Sequence, residues 1–347
     1  MVDNPVRAVI VGCGGMSRRW IQTALESPEI ELAGLVDLQR ASAEQRARDF
    51  ELDAALVYDS LDAALAEAKP EVVFDVTVPA AHHAVTCAAL RAGCHVLGEK
   101  PMAESMDQAR EMVTLARETG RRYSVMQNRR AIPEAVSVAA FLRGGALGPV
   151  EEVHCDFFLG PHFSGFRDAM AHPLLLDMAI HTFDNARQMS GADPRAVYCH
   201  AFNPQRSWYA GDASAVALFE MAGPDGAPIV YNYRGSWCAE GLATAWAAQW
   251  RFVCRKGTLT WDGDQAVAAE RVADEAAPGM RRPTEPCAVE RVALEQEGHA
   301  HIIRQFVRSL RSDEPPLTPC EDNIKSLAMV FAAIDSAAKR QRVEVRW

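Results

Sequence analysis

Three titratable residues in the second half of the chain are spaced so that they could act together. Asp177, His181 and Asp184 follow one another at i, i+4 and i+7 within an apolar stretch, so a helix there places all three on one face. A histidine with a pKa near ~6.5 can accept a proton at neutral pH. A lysine, Lys100, follows a short β-rich run, and its ammonium group could stabilise developing negative charge or, if desolvated, act as a base itself. These residues predict acid–base chemistry.

A glycine-rich segment lies where the first β-rich run meets the first helical pattern. Gly12 permits a tight turn, Gly14 lets backbone approach a pyrophosphate, and small Ser17 replaces a third glycine where helix and strand pack closely. Phosphates would then meet exposed N–H groups and the positive end of the helix dipole. The segment predicts a dinucleotide site made by Gly12, Gly14, Gly15, Met16 and Ser17. The alternative is a flavodoxin-like sheet whose glycine turn binds something else or nothing.

The residue that ends the second β-rich run bears on the choice of dinucleotide. Asp37 lies 20 residues after Ser17, where a carboxylate would accept hydrogen bonds from the adenosine ribose. A 2′-phosphate would be repelled there, which favours NAD over NADP. Arg40 lies close in sequence and could accommodate that phosphate. NAD is therefore the predicted cofactor, with NADP as the alternative.

The elements that must hold these residues alternate between strands and helices up to residue 126. Short β-rich runs separated by amphipathic stretches predict a doubly wound parallel sheet with helices on both faces, a Rossmann domain. The predicted strands are Val6–Val11, Glu31–Val36, Leu56–Tyr58, Val72–Val76, His95–Gly98 and Tyr123–Met126. The predicted helices are Met16–Glu26, Ala43–Phe50, Leu61–Glu67, His82–Ala92 and Met106–Thr119.

Beyond residue 128 the pattern changes to one of successive strands. Helices are predicted near Pro133–Leu142 and Leu174–Met189, with one strand between them. The apolar runs that follow without intervening helices predict an α+β domain with a large, mostly antiparallel sheet. Its predicted strands are Val150–Leu159, Ala196–Ala201, Ser214–Met221, Ile229–Tyr233, Trp250–Cys254 and Gly257–Trp261. Residues 262–298 are charged and poor in large apolar side chains, which predicts a long loop or an insertion. Two domains are expected, 1–128 and 129–347.

Composition restricts the class of partner. The 347 residues carry a net charge of −10, which argues against nucleic acid or an anionic membrane surface and favours a small molecule. No segment reaches the ~20 apolar residues of a membrane helix, and the N-terminus has no signal-peptide pattern, so a cytoplasmic location is expected. The nine cysteines, with no C-x-x-C pair, predict reduced structural thiols and no metal site.

Four further motifs, together with the glycine turn, carry a resemblance to a known family. They are Glu99-Lys100-Pro101, Val78-Pro79-Ala80-Ala81-His82-His83, Gln127-Asn128-Arg129-Arg130 and Asp177-x-x-x-His181. In this order, over essentially the whole chain, they resemble the Gfo/Idh/MocA oxidoreductases, which include inositol dehydrogenases and glucose–fructose oxidoreductases. The resemblance implies a Rossmann domain followed by an open-faced sheet domain, with the active site in the crevice between them. It also implies a homodimer or homotetramer formed through that sheet.

The resemblance implies a role for each matching residue. Lys100, Asp177 and His181 match the catalytic positions of enzymes that oxidise a secondary hydroxyl of a sugar, inositol or related polyol, or catalyse the reverse reduction. Pro79, His83, Glu99 and Lys100 match cofactor-side positions. Arg129 falls where members contact nicotinamide or substrate; it and Asp184 are predicted to bind substrate, with a simple salt bridge as the alternative for each.

An NAD(P)-dependent dehydrogenase acting on CH–OH groups, with NAD preferred, is therefore the predicted function. Either His181 or Lys100 could be the base, and Asp177 could orient His181 or bind a second hydroxyl. Two other functions are compatible with the fold: an NAD-dependent glycosidase, and a regulator that binds dinucleotide without turnover. A cis peptide is also expected at Lys100–Pro101, in a tight turn at the reacting centre.

Overall fold

The chain divides into two units. The computed structural model describes residues 4–347. The first unit runs to Ala131 and also contains Glu295–Ile324, and the second unit comprises Ile132–Leu294 and Lys325–Trp347.

This division differs from the two continuous domains predicted from the sequence, 1–128 and 129–347. Residues 295–324 return to the first unit because the helix Gly298–Ser309 packs against the helix Ser17–Glu26 there. The helix Gly298–Ser309 buries an apolar stripe made by Ile302, Ile303, Phe306 and Val307.

The first unit contains a six-stranded parallel sheet in the order β3-β2-β1-β4-β5-β6. This is the strand order of a dinucleotide-binding Rossmann domain, as predicted. The strands are apolar on both faces because helices cover both. They are β1 (Val6–Val11), β2 (Ile30–Val36), β3 (Val57–Tyr58), β4 (Val72–Asp75), β5 (His95–Gly98) and β6 (Tyr123–Val125). The intervening helices are α1 (Ser17–Glu26), α2 (Arg40–Asp49), α3 (Leu61–Ala68), α4 (Pro79–Arg91) and α5 (Met106–Thr119).

The second unit is built on a nine-stranded sheet. Its strands are β7 (Val150–Phe158), β8 (Asp193–Phe202), β9 (Ser214–Ala222), β10 (Pro228–Ser236), β11 (Gln249–Cys254), β12 (Gly257–Trp261), β13 (Val267–Val272), β14 (Thr284–Cys287) and β15 (Val343–Glu344). The order is β14-β13-β12-β11-β7-β10-β9-β8-β15, and only β7 and β10 pair in parallel. The prediction of a mostly antiparallel sheet is confirmed. The second unit also contains α6 (Pro133–Arg143) and α7 (Ile180–Ser190). The helix α8 (Gly298–Ser309) belongs to the first unit, and α9 (Cys320–Lys339) begins in the first unit and ends in the second.

The prediction of a loop over residues 262–298 was wrong, because β13 and β14 extend the sheet there. β13 pairs with β12, and β14 pairs with β13. Of the residues in these two strands only Ala269 is buried. A strand that lies at the exposed edge of a sheet needs few apolar side chains, so its sequence lacks the alternation by which strands are identified.

The two faces of the large sheet differ. On one face Phe183 of α7 packs against Phe219, Tyr231 and Tyr233, with ring centroids 4.8, 6.1 and 5.2 Å away. The opposite face carries exposed apolar side chains, Tyr198, Val216, Leu218 and Val230. One face is therefore a core and the other is open. Within residues 4–347 no helix is long and apolar enough to cross a membrane.

Candidate active site

The glycine turn joins β1 to α1. Gly12 has φ +96°, and a Cβ there would lie 2.5 Å from the carbonyl oxygen of Val76, so only glycine fits. A Cβ at Gly14 or Gly15 would have no neighbouring atom within 4 Å. The backbone of this turn therefore faces open space, as required for contact with a pyrophosphate. The turn fits a dinucleotide.

Two side chains support the turn. Ser17 is buried, and its hydroxyl donates a 2.6 Å hydrogen bond to the Gly14 carbonyl. Arg46 of α2 donates to the same carbonyl from Nη2 at 3.3 Å and to the Ser17 hydroxyl from Nε at 3.3 Å. Arg46, which also pairs with Asp49 at 2.5 Å, connects α2 to the phosphate-binding turn. The sequence offered no signal for it, because α2 is rich in arginine throughout.

Asp37 lies just beyond β2 and is connected to the glycine turn. Its Oδ2 accepts from the Cys13 N–H and its Oδ1 from the Gln39 N–H, each at 2.8 Å. Burial, and to a smaller extent the negative charge of Asp37, raises the pKa of the Cys13 thiol to about 12. All nine cysteines are free thiols, as predicted. Arg40 forms ion pairs with Glu44, at 2.9 Å, and with Asp59.

A buried carboxylate lies at the end of the neighbouring strand, β4. Asp75 accepts hydrogen bonds from the hydroxyls of Thr77, at 2.5 Å, and Thr86, at 3.1 Å, and its Oδ1 lies 3.1 Å from His82 Nδ1. Asp75 was not among the predicted site residues. It anchors the loop that leads into α4, whose first residue is Pro79.

His83, predicted on the cofactor side, lies one turn further along α4. Its Nε2 is 2.9 Å from a carboxylate oxygen of Glu111 on α5. Its assignment to the cofactor stays a prediction.

The Glu99-Lys100-Pro101 motif follows β5. Glu99 is buried, its Oε1 accepts from the Trp20 indole at 2.9 Å, and His299 Nε2 lies 3.5 Å away. Burial raises the pKa of this carboxyl, but His299, Trp20 and Lys100 outweigh it and lower the pKa overall. The Lys100 N–H donates to Glu99 Oε2 at 3.3 Å. The Lys100–Pro101 peptide is cis, which confirms the prediction.

The motif after β6 forms a 3₁₀ turn over Asn128–Ala131. Arg129 and Arg130 are both buried, and Arg130 pairs with Asp322 at 2.7 Å. The role of Arg129 in binding stays a prediction. Gln127, which precedes the turn, is 1% exposed, and its side-chain amide has no hydrogen-bond partner among residues 4–347. A buried amide of this kind suits a polar ligand group at the carboxyl edge of the sheet.

In the second unit the predicted helix 174–189 begins with a π-helical turn, Leu174–Ala179, and continues as α7. Asp177 lies in the π turn and His181 in the first turn of α7, and both are buried. A π turn inside a helix is costly and is found often at functional sites. The structure thus places Asp177 and His181 within one helical turn of each other, as predicted.

Asp177 has a partner that the sequence did not suggest. Arg167, in the 3₁₀ turn Gly165–Ala169, donates from Nε to Asp177 Oδ2 at 2.6 Å and from Nη2 to Oδ1 at 3.4 Å. The Asp177 charge is therefore balanced by an arginine ten residues earlier.

Asp184 is also buried, but it is directed to α9. Its Oδ1 accepts from the Ser326 hydroxyl at 2.7 Å and lies 4.0 Å from Arg187. These contacts favour the salt-bridge alternative, and substrate binding by Asp184 stays a prediction.

Comparison with known families agrees with both units. Residues 6–127 match the family described as "Oxidoreductase family, NAD-binding Rossmann fold", and residues 136–260 match the "GFO/IDH/MocA C-terminal domain". The chain belongs to the Gfo/Idh/MocA family. It is an NAD-binding oxidoreductase with the Rossmann and open-sheet architecture of that family.

Several known proteins are similar to this chain over half of its length or more. The uncharacterized protein y4oX of Sinorhizobium fredii is 28% identical over 97% of this chain and 94% of its own length. The D-glucoside 3-dehydrogenase of Escherichia coli is 27% identical over 58% of this chain and 59% of its own. An oxidoreductase from Agrobacterium radiobacter, crystallised with NAD⁺, L-tartaric acid and magnesium, superposes with a TM-score of 0.84 at 19% identity, covering 99% of both chains.

Proposed function

We propose that this protein is a dehydrogenase that interconverts a secondary hydroxyl and a ketone on a sugar, cyclitol or related polyol, with NAD preferred over NADP. The observation that carries this function is the buried Asp177–His181 pair, in a chain whose other unit has a complete dinucleotide turn. A relative that oxidises D-glucosides supports the substrate class.

The glycine turn, Asp37 and the backbone of the Glu99–Lys100 segment would hold the cofactor. NAD, when bound, supplies the acceptor for the hydride that leaves the carbinol carbon. The protein must remove the hydroxyl proton, and His181 is suited to accept it. Lys100 would stabilise the negative charge that develops on the oxygen. Asp177 is held by Arg167. Its carboxylate would orient the imidazole of His181 or bind a second substrate hydroxyl.

A substrate screen tests this function. We expect some neutral sugars or cyclitols to give net NADH, measured by the absorbance of the reduced nicotinamide. Release of sugar from glycosides without net NADH would indicate the glycosidase chemistry instead. Binding of NAD and sugar with no turnover would indicate a regulator, and either outcome would contradict a dehydrogenase.

Cofactor preference gives a first mutational prediction. Two backbone N–H groups orient the Asp37 carboxylate, and Arg40 is engaged by two carboxylates. NAD should therefore bind more tightly than NADP. Asp37→Ala should weaken NAD binding by about tenfold or more and narrow or reverse the preference, because it removes charged hydrogen-bond acceptors. Calorimetric titration with each dinucleotide measures both effects.

Arg40→Ala is the matched control for this test. The variant should leave NAD affinity nearly unchanged, because Arg40 is already paired with Glu44 and Asp59. Equal affinity of the unmodified protein for NAD and NADP would contradict the role of Asp37.

The open face of the large sheet supports a homodimer or homotetramer. Val216 and Leu218 on β9 and Tyr198 on β8 place exposed apolar side chains side by side on this face, and contiguous apolar surface of this kind marks contact sites. Light scattering should give a mass of two or four chains for the unmodified protein and a lower mass for Leu218→Lys. A monomeric unmodified protein would contradict this assembly.

A further inference from the structure

An exposed aromatic surface surrounds Arg167, the residue that binds Asp177. It is made by Phe163, Phe166 and Trp246, whose relative exposures are 54%, 58% and 51%. Aromatic side chains normally bury 150–250 Å² each, so three half-exposed rings together leave much apolar area in water. The candidate site described above does not account for them.

The rings form one connected surface. The Phe163 and Trp246 centroids are 6.2 Å apart, and both rings contact the buried Trp237, at 6.2 and 5.6 Å. The Arg167 guanidinium carbon lies 4.7 Å from the Phe166 centroid and 5.8 Å from that of Phe163. The same guanidinium group binds Asp177. The aromatic surface therefore continues directly to a predicted catalytic residue.

The loop that carries two of these rings is fixed at several points. The Ala210 N–H donates to Asp168 O at 2.8 Å, and the Asp212 N–H donates to Ala171 O at 2.9 Å. The Tyr209 hydroxyl donates to Pro161 O at 3.1 Å. The backbones pack so closely that a Cβ at Gly211 would lie 2.0 Å from Ala171 O. The rings are thus presented by an anchored loop, and little entropy would be lost when a ligand binds.

Charge at the surface selects the type of ligand. Arg167 is neutralised by Asp177 through two hydrogen bonds, and the neighbouring His162 lies 3.1 Å from Glu240. Both side chains are engaged by carboxylates, so neither is available to pair with an anionic sugar. Rings beside a few polar groups suit a ligand with an apolar face and hydroxyl edges. A pyranose ring or cyclitol has this character, because its C–H bonds lie on the faces and its hydroxyl groups at the rim.

We propose, on the basis of the function proposed above, that Phe163, Phe166 and Trp246 form a stacking subsite for a neutral sugar ring of the substrate. The ring faces stack on the aromatic side chains, while rim hydroxyls are directed towards Asp177. Arg167 is a positioning residue that acts through Asp177. The preferred substrates are neutral glycosides or cyclitols, and sugar acids bind less well.

Direct binding tests the subsite without requiring turnover. Methyl β-D-glucopyranoside, myo-inositol and glucuronate are titrated into the NAD-loaded protein and followed by saturation-transfer NMR. We expect the two neutral ligands to bind and glucuronate to bind more weakly. Trp246→Ala and Phe163→Ala should each raise the dissociation constant of the neutral ligands about fivefold to tenfold, with NAD affinity unchanged. Trp347→Ala is the matched control, an exposed ring that also lies beside a cation, Lys325.

Kinetics on the best substrate separate the two roles. The ring variants should raise KM and leave kcat within about twofold, whereas Arg167→Ala should lower kcat. Arg167→Lys should restore only part of kcat, because lysine cannot make the two-point contact with a carboxylate.

Four results would overturn the subsite: unchanged sugar affinity and KM in the ring variants, absence of neutral-ligand binding to the unmodified protein, preferential binding of glucuronate, or a change in oligomeric mass on removal of the rings. The last would assign the surface to a subunit contact. If the unmodified protein forms NADH and the ring variants have unchanged sugar affinity and KM, the subsite is refuted but the dehydrogenase function is not. Ring-dependent sugar binding without NADH would refute the dehydrogenase function alone.

Discussion

Replacing His181 with alanine should lower turnover by ~10²-fold or more, the usual contribution of a positioned general base. The imidazole must be unprotonated to accept the hydroxyl proton, so the oxidation rate of the unmodified protein should rise with pH through the ionisation of His181. The His181→Ala variant should lose this limb of the pH profile, that is, the rise of the oxidation rate with pH. NAD affinity should change little, because His181 belongs to the second unit and the dinucleotide turn to the first.

A pH profile of turnover, with NAD affinity measured alongside, tests the role of His181. His301→Gln is the control, since it removes a titratable histidine from α8 of the first unit. Near-normal turnover and an unchanged pH limb in His181→Ala would show that another group is the base. Lys100 would then be the first alternative.

The second large effect is expected from Lys100→Met. Removing a charge that stabilises the developing oxyanion should lower turnover ~10²- to 10³-fold. The remaining activity should keep the histidine-dependent pH limb, because His181 is intact. NAD affinity should again change little, since the glycine turn and Asp37 do not depend on the Lys100 side chain.

Steady-state kinetics with calorimetric NAD titration measures both consequences of the Lys100 change. Glu104→Gln is a suitable control, because it alters an exposed charge a few residues after the motif. Loss of NAD binding with little effect on the chemical step would assign Lys100 to the cofactor instead. Loss of the pH limb in Lys100→Met would identify the lysine as the base.

Much of the first unit could be predicted because its strands and helices have recognisable local sequence patterns. β1 and β5 have the bounds predicted from their apolar runs, and α5 has the bounds predicted from its amphipathic pattern. The glycine turn was recognisable because a positive φ and a close approach at Gly12 demand the residue type. The role of Asp37 was predicted from its position 20 residues after Ser17.

The contacts that complete the candidate site could not be predicted in the same way. His299 meets Glu99 across 200 residues of sequence, and Arg46 reaches Gly14 from another helix. Arg167 is close to Asp177 in sequence but lies in an irregular turn, where no periodicity indicates the direction of a side chain. Such partners depend on tertiary packing, which leaves no pattern of spacing in the chain.

The most direct test of the central claim follows the hydrogen on the carbinol carbon. A substrate found by screening is labelled with deuterium at the carbon that carries the reacting hydroxyl and is incubated with the protein and NAD. The nicotinamide product is then analysed by mass spectrometry and NMR. A dehydrogenase predicts one deuterium in each reduced nicotinamide formed, in equal amount to the ketone. Ketone or free sugar formed without deuterium in a reduced nicotinamide would contradict the account.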